Sequence, residues 1–432
     1  MKNIRLILGI LFSVSILSCA KESIVESEEE LTELLTLELN PLKSSPLLWE
    51  DTELQHLDRF GKKQIVGLGE ATHGTSEFFD AKHRIFKYLV ENHGFKVFAF
   101  EADFGESILI NEAIQKGDCG QIRSLMKSKM HFWTWQTTEV EQLLTWMCNY
   151  NVSKDKGEKL QYYGVDCSFN TFHPDLVLTY LENAEVEFLE VAKQILTTAK
   201  ESSENSFQTY DGDSFQEYLQ EVSTLQDSMD KHRDFLVEKS SEKEFELNRR
   251  LVSVIGQASE IRRLFSIGNF ENDPRDSRMA DNALWLLEHF EGEKIALWAH
   301  NGHLDKNEEH KSMGYYLSQD LGANYGSIGF SFSKGSFRAI GQGGLKVHSL
   351  EADPKLNSLN FYLTQANQSQ FSVNLNDLFK NSAWKEKEAL GLDYLYIGAV
   401  FNSPPENYYS KFESTYFDEL IYFDKTNTAQ GF

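Results

Sequence analysis

A strand–helix–strand pattern near the start of the chain constrains the fold more than any other feature. Gln64–Gly69 is a short apolar run flanked by turn residues, which predicts a buried strand. Ser76 can cap the amphipathic helix that follows, which runs to about His93 and stops at Gly94. Lys96–Glu101 is the next apolar run. A strand, a helix and a second strand in this order predict a βαβ unit with parallel strands and a right-handed crossover.

Similar patterns recur along the chain. Thr138–Asn149 has helical spacing of apolar residues. From about Asn170 to His289 the strand signal vanishes and helical spacing dominates. Further strands are predicted at Leu160–Asp166, Lys294–Trp298, Ser327–Phe332, Tyr394–Val400 and Glu419–Phe423. The fold class is therefore predicted to be α/β, with a mostly parallel central sheet flanked by helices and a large inserted helical subdomain.

These patterns divide the 432 residues into five segments. We predict a lipoprotein signal peptide at 1–19, an acidic tether and first helix at 20–50, the first part of the α/β core at 51–169, a helical insertion lobe at 170–290, and the second part of the core at 291–432.

The amino-terminal residues have the composition of an export signal. Lys2 and Arg5 precede Leu6–Ser18, an apolar run too short to span a bilayer as a permanent helix. The small residue before Cys19 resembles a lipobox, in which the cysteine is lipidated; an ordinary secretory signal is the alternative. The glutamate-rich stretch Ala20–Glu33 suits a tether. We expect an exported protein that is held at the cell envelope only by this anchor.

The net charge and the cysteine content limit which partners the protein is expected to bind and which kinds of cysteine site it is expected to have. The formal net charge of −24 repels phosphate backbones, so nucleic acid is not an expected partner. Cys119, Cys148 and Cys167 are odd in number and have no metal-ligand spacing. We therefore predict neither a disulfide nor a zinc site, and interpret all three as core thiols. The sequence does not indicate an oligomeric state.

Acidic and imidazole side chains stand where four of the predicted strands end. They are Glu70 and His73 after the first strand, Glu101 at the end of the second, Asp166 at the end of the third, and His300 after the fourth. Parallel α/β sheets bind ligands at the carboxyl ends of their strands. Each residue alone has a structural explanation, but together they predict one polar pocket.

Several other residues are candidates for this pocket. Arg84 is placed by helical spacing to reach back over the strand ends, or to pair with Glu77 at the surface. Trp133 and Trp135 can wall a cleft for a bulky, partly apolar ligand, or pack in the core before a helix. The run that begins at Arg275 either leans toward the cleft or starts a helix with a salt-bridged turn.

Several familiar catalytic motifs are absent from the sequence. It contains no G-x-S-x-G, no P-loop, no G-x-G-x-x-G after a strand and no H-E-x-x-H. Without an obvious nucleophile, activation of water by an imidazole base is the simplest mechanism. Two alternatives stay open. The same Glu and His residues suit a divalent metal in a metal-dependent hydrolase, and the cleft also suits a non-enzymatic, lipid-anchored protein that binds a small molecule.

The order of these motifs resembles the erythromycin esterase family from about Phe60 to Phe423. The matching segments are Gly-Glu70-Ala-Thr-His73-Gly, Phe-Glu101-Ala, Phe132-Trp-Thr-Trp-Gln, Gly164-Val-Asp166, Arg275-Asp-x-x-Met-Ala-x-Asn282 and Trp298-Ala-His300-Asn-Gly-His. The resemblance implies an α/β core with a helical lobe that closes over a long cleft.

The resemblance also implies a hydrolase that opens a macrolactone or another carboxylic ester of a small molecule. It implies that His73 is the general base on water, with no covalent intermediate. We expect no cofactor, with a divalent metal as the alternative. The polar cluster is then completed by Glu70, Arg84, Glu101 and His300. The candidate substrate-binding residues are Trp133, Trp135, Asp166, Arg275 and His303.

Overall fold

The computed structural model describes residues 28–43 and 45–432, so the predicted signal peptide and Cys19 lie outside the described residues. The strands of the described part are β1 (Leu39–Pro41), β2 (Ile65–Leu68), β3 (Val97–Asp103), β4 (Gln161–Asp166), β5 (Ile295–Trp298), β6 (Tyr325–Gly341), β7 (Gly344–Leu350), β8 (Gln370–Asn374), β9 (Asp393–Leu395), β10 (Tyr409–Lys411) and β11 (Glu419–Thr426).

Helices occupy most of the remaining described chain. They are α1 (28–37), α2 (Asp51–Leu54), α3 (Ser76–His93), α4 (Phe104–Lys116), α5 (Ile122–Lys129), α6 (Thr138–Val152), α7 (His173–Ala184), α8 (Leu189–Glu204), α9 (Gly212–Lys231), α10 (Arg233–Lys239), α11 (Glu242–Ser266), α12 (Arg275–His289), α13 (Asn301–Leu304), α14 (Met313–Leu321), α15 (Leu359–Gln365), α16 (Leu375–Leu378) and α17 (Ser382–Ala389). Among the helices of residues 28–43 and 45–432, none combines the length and apolarity needed to span a membrane.

A single large sheet organises the molecule, with the strand order β1-β8-β11-β6-β2-β5-β3-β4. The strands from β11 to β4 in this order pair in parallel. β8 and β1 extend one edge as antiparallel strands, and β7 folds back as an antiparallel partner of β6. The predicted α/β class with a mostly parallel central sheet is confirmed. The fully buried β2, β3 and β5 explain why these strands appear in the sequence as continuous apolar runs.

Both faces of the sheet are covered by apolar side chains. Helices α3 and α6 pack on one face with residues such as Phe86 and Leu143. The helices from α7 to α12 share a second apolar cluster with sheet residues such as Ile65 and Val97 on the other face. Between β4 and β5 the described chain is helical and contains no strand, as the sequence indicates. The division into domains stays a prediction.

The prediction of a central-sheet strand at Tyr394–Val400 is wrong. Only Asp393–Leu395 forms a strand there, and it pairs with β10 in a separate two-stranded sheet. Val400 contacts the large sheet only through an isolated parallel bridge to Ile340 of β6. The apolar run reflects burial of its side chains, with Tyr394 and Ile397 both in the core. The strand that continues the sheet is β8, whose alternation of Phe371 and Val373 with polar residues did not appear as a continuous apolar run.

The interpretation of all three described cysteines as free thiols is also wrong. Cys119, just after α4, forms a disulfide with Cys148 in α6, across a sequence separation of 29 residues. Cys167 is the free, buried cysteine of the described chain. Because α4 and α6 pack together only in the folded protein, no local spacing in the sequence reveals this pair.

One helix start differs from that expected, and a second helix has a side-chain cap. The N-cap of α3 is Thr75 rather than Ser76, and α9 is capped by Asp211, whose carboxylate accepts the Ser214 N–H. The end of α3 is as predicted, because Gly94 adopts the left-handed conformation that glycine favours, with φ 71°. The described part of the predicted tether, 28–33, is helical, and Leu31 is buried against the domain.

Candidate active site

The sheet brings the predicted polar residues into one row. Because β2, β5, β3 and β4 are neighbours in that order, the segments after their carboxyl ends meet at one edge. This row carries Glu70 after β2, His300 after β5, Glu101 within β3 and Asp166 at the end of β4. Close packing of the loop after β2 requires glycine, since a Cβ on Gly74 would lie 2.3 Å from the Arg338 carbonyl oxygen.

His73 is held by a buried carboxylate. Its Nδ1 lies 2.7 Å from Oε1 of Glu70, which is fully buried. The other oxygen of Glu70 accepts hydrogen bonds from Trp298 Nε1, at 2.8 Å, and from Lys82 Nζ. Lys82 is also fully buried, with its ammonium 4.1 Å from the centre of the Trp298 ring. Glu70 therefore fixes the orientation of the imidazole and is itself held by a cation and an indole.

The ionisation of this group follows from its contacts. Burial alone would raise the pKa of Glu70, but the Lys82 ammonium and the hydrogen bond from His73 outweigh it and lower that pKa. Burial lowers the pKa of Lys82 to about 8, against the opposing attraction of Glu70. At neutral pH Glu70 is therefore a carboxylate. A carboxylate accepts a hydrogen bond, so it favours the tautomer of His73 with a proton on Nδ1, which leaves Nε2 as the basic nitrogen.

Glu101 is the centre of a second cluster. Its Oε1 accepts from Arg275 at 2.9 Å and lies 3.2 Å from His303 Nε2, and its Oε2 accepts the backbone N–H of His300 at 2.9 Å. His303 Nδ1 lies 2.8 Å from Asp276. The second cluster thus places a guanidinium and an imidazole side by side on one buried carboxylate.

Both cations of this cluster keep their charge at neutral pH. Burial would lower the pKa of His303, but Asp276 and Glu101 raise it to about 10. Burial alone would raise the pKa of Glu101. The neighbouring cations His303 and Arg275 outweigh burial, so the pKa of Glu101 lies well below its usual range. The cluster is therefore an ion network, and Arg275, His303 and Glu101 all line the cavity.

A cavity of about 590 Å³ opens beside these clusters. His73, Glu101, Arg275 and His303 are its charged and basic lining side chains near the strand ends. Arg262 and Asp273 are further charged lining residues. The rest of the wall is largely apolar and includes Phe132, Trp133, Trp135, Phe169, Ile261, Phe265 and Ile340. A cavity with polar groups at one end and aromatic walls suits a small molecule with a bulky apolar part.

The two candidate tryptophans have different environments. Trp133 is partly exposed in the cavity wall, and the Arg338 guanidinium stacks 5.4 Å from its ring centre. Trp135 is buried, 1% exposed, and donates its Nε1–H to the Glu101 carbonyl oxygen at 3.0 Å. The alternative of core packing thus describes Trp135 best, while Trp133 is placed to contact a ligand.

Arg84 does not join the cluster, and this prediction is wrong. Its guanidinium donates to the Trp49 carbonyl oxygen at 2.6 Å and pairs with Asp51, away from the strand ends. Lys82 takes the position that was predicted for Arg84. One feature of the sequence could have identified Lys82. This lysine lies within the apolar stripe of α3, between Phe79 and Phe86, where a charged side chain needs a buried partner.

His300 lies among the clustered residues, but both of its ring nitrogens are hydrogen-bonded to the backbone. Its Nδ1 accepts the Gly302 N–H at 3.2 Å, and its Nε2 donates to the Ile397 carbonyl oxygen at 3.0 Å. Burial and the neighbouring His73 lower the pKa of His300 to about 3, so the ring is neutral. His300 therefore shapes the turn after β5 and packs 5.0 Å from the His73 ring, centre to centre.

Asp166 supports the site from behind rather than lining the cavity. Its carboxylate is fully buried and accepts from Arg275 Nε at 3.2 Å and from the terminal guanidinium nitrogen at 2.5 Å. Direct substrate contact by Asp166 is therefore contradicted, because Arg275 stands between it and the cavity. Arg275 does lean toward the cleft, as one of the two sequence interpretations had it, and it also begins α12.

The donor set does not fit a divalent metal ion. Across residues 28–43 and 45–432, no three His, Cys, Asp or Glu side chains converge in an arrangement that would hold one. The carboxylates of Glu70 and Glu101 are already bound by Lys82 and by Arg275 with His303. A metal ion here would have to displace these cations.

Comparison with known proteins places this arrangement in a family. A family model described as erythromycin esterase matches residues 90–426. The chain belongs to the erythromycin esterase family. The matched range includes Glu101 and His303 but begins after the loop that carries His73.

Two relatives and one solved structure are similar to this chain. Erythromycin esterase type II of Escherichia coli is 24% identical over 65% of this chain and 71% of its own length. Putative hydrolase YbfO of Bacillus subtilis is 28% identical over 62% of this chain and 64% of its own length. A crystal structure of a Bacillus cereus protein has the same fold, with a TM-score of 0.82 at 24% identity over 94% of this chain and 99% of that chain. Family membership and the names of these relatives support a hydrolase.

Proposed function

We propose that this member of the erythromycin esterase family hydrolyses a carboxylic ester with water activated by His73. The observation that carries the proposal is the asymmetric environment of that imidazole. Its Nδ1 is bound to the Glu70 carboxylate at 2.7 Å, and the ring lines the cavity. Within the described chain, Nε2 has no hydrogen-bond partner. This is the arrangement that a general base on water requires.

The steps follow from the two clusters. Nε2 of His73 accepts a proton from a water molecule as its oxygen attacks the ester carbonyl carbon. Glu70 stabilises the resulting imidazolium without taking its proton, because Lys82 and Trp298 keep the carboxylate ionised. When the tetrahedral intermediate collapses, the C–O bond to the alcohol breaks and the imidazolium returns the proton to the leaving alkoxide. The products are a carboxylic acid and an alcohol.

Arg275 and His303 supply the positive charge that the oxyanion needs. Both are cations that line the cavity beside His73, and both are fixed by Glu101. Positive groups that are held in place before the reaction stabilise charge as it develops, at no cost of reorganisation. A general base alone contributes roughly 10²–10⁴-fold, so this electrostatic contribution is required as well.

Direct attack by water is favoured over a covalent intermediate. Within the described residues, no Ser, Thr or Cys side chain is hydrogen-bonded to His73, whose side-chain partner is Glu70. A nucleophilic hydroxyl or thiol would need a base within hydrogen-bonding distance. The cavity hydroxyl of Ser168 instead donates to Asp166 at 2.6 Å.

The lining of the cavity supports a proposal for the substrate class. The aromatic and aliphatic wall favours an ester with a bulky apolar part, and a macrolactone of the kind named for the Escherichia coli relative meets this description. We propose no metal requirement, because the candidate ligands are paired with Lys82, Arg275 and His303.

We also propose that the protein is exported and anchored through Cys19. The predicted signal supports this, as does the disulfide between Cys119 and Cys148, because such bonds persist in oxidising compartments.

A panel of macrolactones and simple aryl and alkyl esters tests the proposed activity with wild type and His73→Ala. We expect wild type to hydrolyse at least one ester and His73→Ala to lose roughly 10²–10⁴-fold in kcat. His232→Ala, which removes a surface imidazole from the helical segment, serves as the control. Turnover by His73→Ala equal to that of wild type would contradict the general-base role of His73. A wild-type protein that binds these compounds but hydrolyses none of them would favour the non-enzymatic alternative.

A further inference from the structure

The segment Asn427–Gly431 lies beside the loop that carries His73. The Ser76 N–H donates to the Asn427 carbonyl oxygen at 2.9 Å, and the Ala429 N–H donates to the Gly74 carbonyl oxygen at 2.9 Å. Thr75 and Thr428 form an antiparallel bridge between these two bonds. The segment therefore pairs like a short strand with the residues directly after the proposed base.

The same segment also binds the start of α6, which follows the Trp133 loop. The Thr138 N–H donates to the Gln430 carbonyl oxygen at 2.8 Å, and Thr137 forms an antiparallel bridge with Gly431. One short stretch of chain thus joins the loop of the proposed base to the end of the aromatic wall. These two loops are about 60 residues apart in sequence.

Glu139 closes this connection. Its buried carboxylate accepts the Ser76 hydroxyl at 2.8 Å and the Gln430 N–H at 3.1 Å from each oxygen. Glu139 lies in the first turn of α6, and Ser76 is the first residue of α3. A single side chain therefore contacts both helices and the connecting segment.

Arg338 links the segment to the cavity wall itself. Its backbone N–H donates to the Gly74 carbonyl oxygen at 3.1 Å, and its guanidinium stacks on Trp133. On the far side it presses against Gly431, where an added Cβ would lie 2.0 Å from a terminal nitrogen of Arg338. The guanidinium is therefore sandwiched between the segment and the wall.

We propose that the segment Asn427–Gly431 is a positioning element for the reaction, and that Glu139 is its main positioning residue. Together they fix the distance between the His73 imidazole and the aromatic wall that holds the substrate. Glu139 contacts neither reacting atoms nor the cavity, so it acts through Ser76 and Gln430. The expected effect on kinetics rests on the proposed function. The structural link between the two loops does not.

The expected effect is kinetic because catalysis by a positioned base is sensitive to small displacements. A misplacement of about 1 Å can lower a rate by about 10²-fold. Loss of the Glu139 carboxylate frees α3 and α6 to shift separately, so the imidazole moves relative to the bound ester. The global fold keeps its central sheet and both apolar clusters, which do not include this carboxylate.

The experiment compares Glu139→Ala with Glu139→Gln and with Asn151→Ala. Asn151 is a buried residue at the other end of α6 that also makes two side-chain hydrogen bonds to backbone, both to Leu160. We expect Glu139→Ala to lower kcat by about 10- to 100-fold, with KM changed less. Glu139→Gln, which keeps one acceptor oxygen, should retain most of the activity, and Asn151→Ala should retain kcat.

Amide hydrogen exchange gives a second readout that does not depend on turnover. In Glu139→Ala the amides of Ser76 and Thr138 should exchange faster together, while those near Leu160 stay protected. Unchanged kcat with unchanged exchange at these two amides, or an equal loss of kcat in Asn151→Ala, would overturn the proposal. If wild type hydrolyses no ester, the esterase proposal fails, and the exchange result alone decides this inference.

A second pair of variants covers the case in which Glu139→Ala does not fold. Gly431→Ala forces the Arg338 guanidinium off its position, and Gly157→Ala adds a methyl group where no atom lies within 4 Å. The first should raise KM by displacing Trp133 and the second should not. Identical KM values in both variants would contradict the proposed link between the segment and the wall.

Discussion

The His73 imidazole and the Glu70 carboxylate are joined by a 2.7 Å hydrogen bond between Nδ1 and Oε1. They are three residues apart in one tight loop, so the pair is set by local backbone geometry. What keeps the pair functional is remote in sequence, because Lys82 and Trp298 hold the second oxygen of Glu70. The charge state of Glu70 therefore depends on a helix and a strand that contribute no other group to the reaction.

Replacement of Lys82 tests this dependence. Lys82→Met leaves Glu70 buried without its cation, so the pKa of Glu70 rises and the acid limb of the kcat/KM profile moves to higher pH. Breaking a fully buried ion pair by removing one partner costs about 3–5 kcal/mol, so the melting temperature falls too. Arg84→Met is the matched control from the same helix. It removes an ion pair with Asp51 and should leave the pH profile unchanged. An unshifted acid limb in Lys82→Met would contradict the role given to this lysine.

The pH dependence of stability reports on His303. Its pKa is raised from 6.5 to about 10, so the folded protein keeps a proton that the unfolded chain loses above pH 6.5. This contribution to stability is complete below pH 6.5 and declines by about 1.4 kcal/mol per pH unit as the pH rises toward 10. Lys82, with its pKa lowered to about 8, acts in the opposite direction above that pH. The free energy of unfolding should therefore be measured by denaturant between pH 6.5 and 8. Its slope against pH should be smaller in magnitude in His303→Gln than in wild type, by the amount that corresponds to about one proton. The same slope in both proteins would contradict the charged state of His303.

Reduction of the disulfide should lower stability without changing the chemistry. Closing a loop of this size contributes roughly 3–4 kcal/mol in the chain-entropy account. We expect the double variant Cys119→Ser with Cys148→Ser to lose a corresponding part of its free energy of unfolding, with kcat unchanged. Alkylation of the unreduced, denatured protein should modify Cys167 but not the other two. Modification of all three in protein purified from an oxidising compartment would show that the bond does not form.

Removal of metal ions should leave activity intact. Because Glu70 and Glu101 are bound by protein cations, catalysis is expected to need no divalent ion. Prolonged treatment with EDTA, followed by elemental analysis, should give full kcat with less than stoichiometric metal. Activity that disappears with the metal and returns with zinc or manganese would favour the metal-dependent alternative instead.

The ends of the parallel strands were the most predictable part of the site. Strands buried on both faces appear in sequence as continuous apolar runs, so the first polar residue after each run marks its carboxyl end. Glu70, Glu101 and His300 were found in this way, and they meet around His73. The order of the strands, which brings them together, is a property of the whole sheet and has no local signal.

The residues that the sequence misplaced are those whose role depends on long-range packing. Lys82 and Arg84 are two positions apart on α3 and point from different faces of the helix. Which of the two side chains reaches Glu70 depends on how these faces are buried in the folded protein. The disulfide depends on the packing of α6 beside α4, and the hydrogen bonds of His300 depend on the Ile397 carbonyl of a distant loop. A lysine on an apolar stripe was the one usable clue, because a buried ammonium requires a partner.

The antiparallel edge of the sheet has a consequence for how a tethered molecule would meet its substrate. The chain enters the sheet at β1, five strand positions from β5, which is about 24 Å at the usual spacing between strands. An anchor ahead of residue 28 would pull on that flank, while β2, β5, β3 and β4, whose ends carry the candidate site, form the other half of the sheet. Compounds that diffuse freely past the cell envelope would then have access to the enzyme without first partitioning into the lipid.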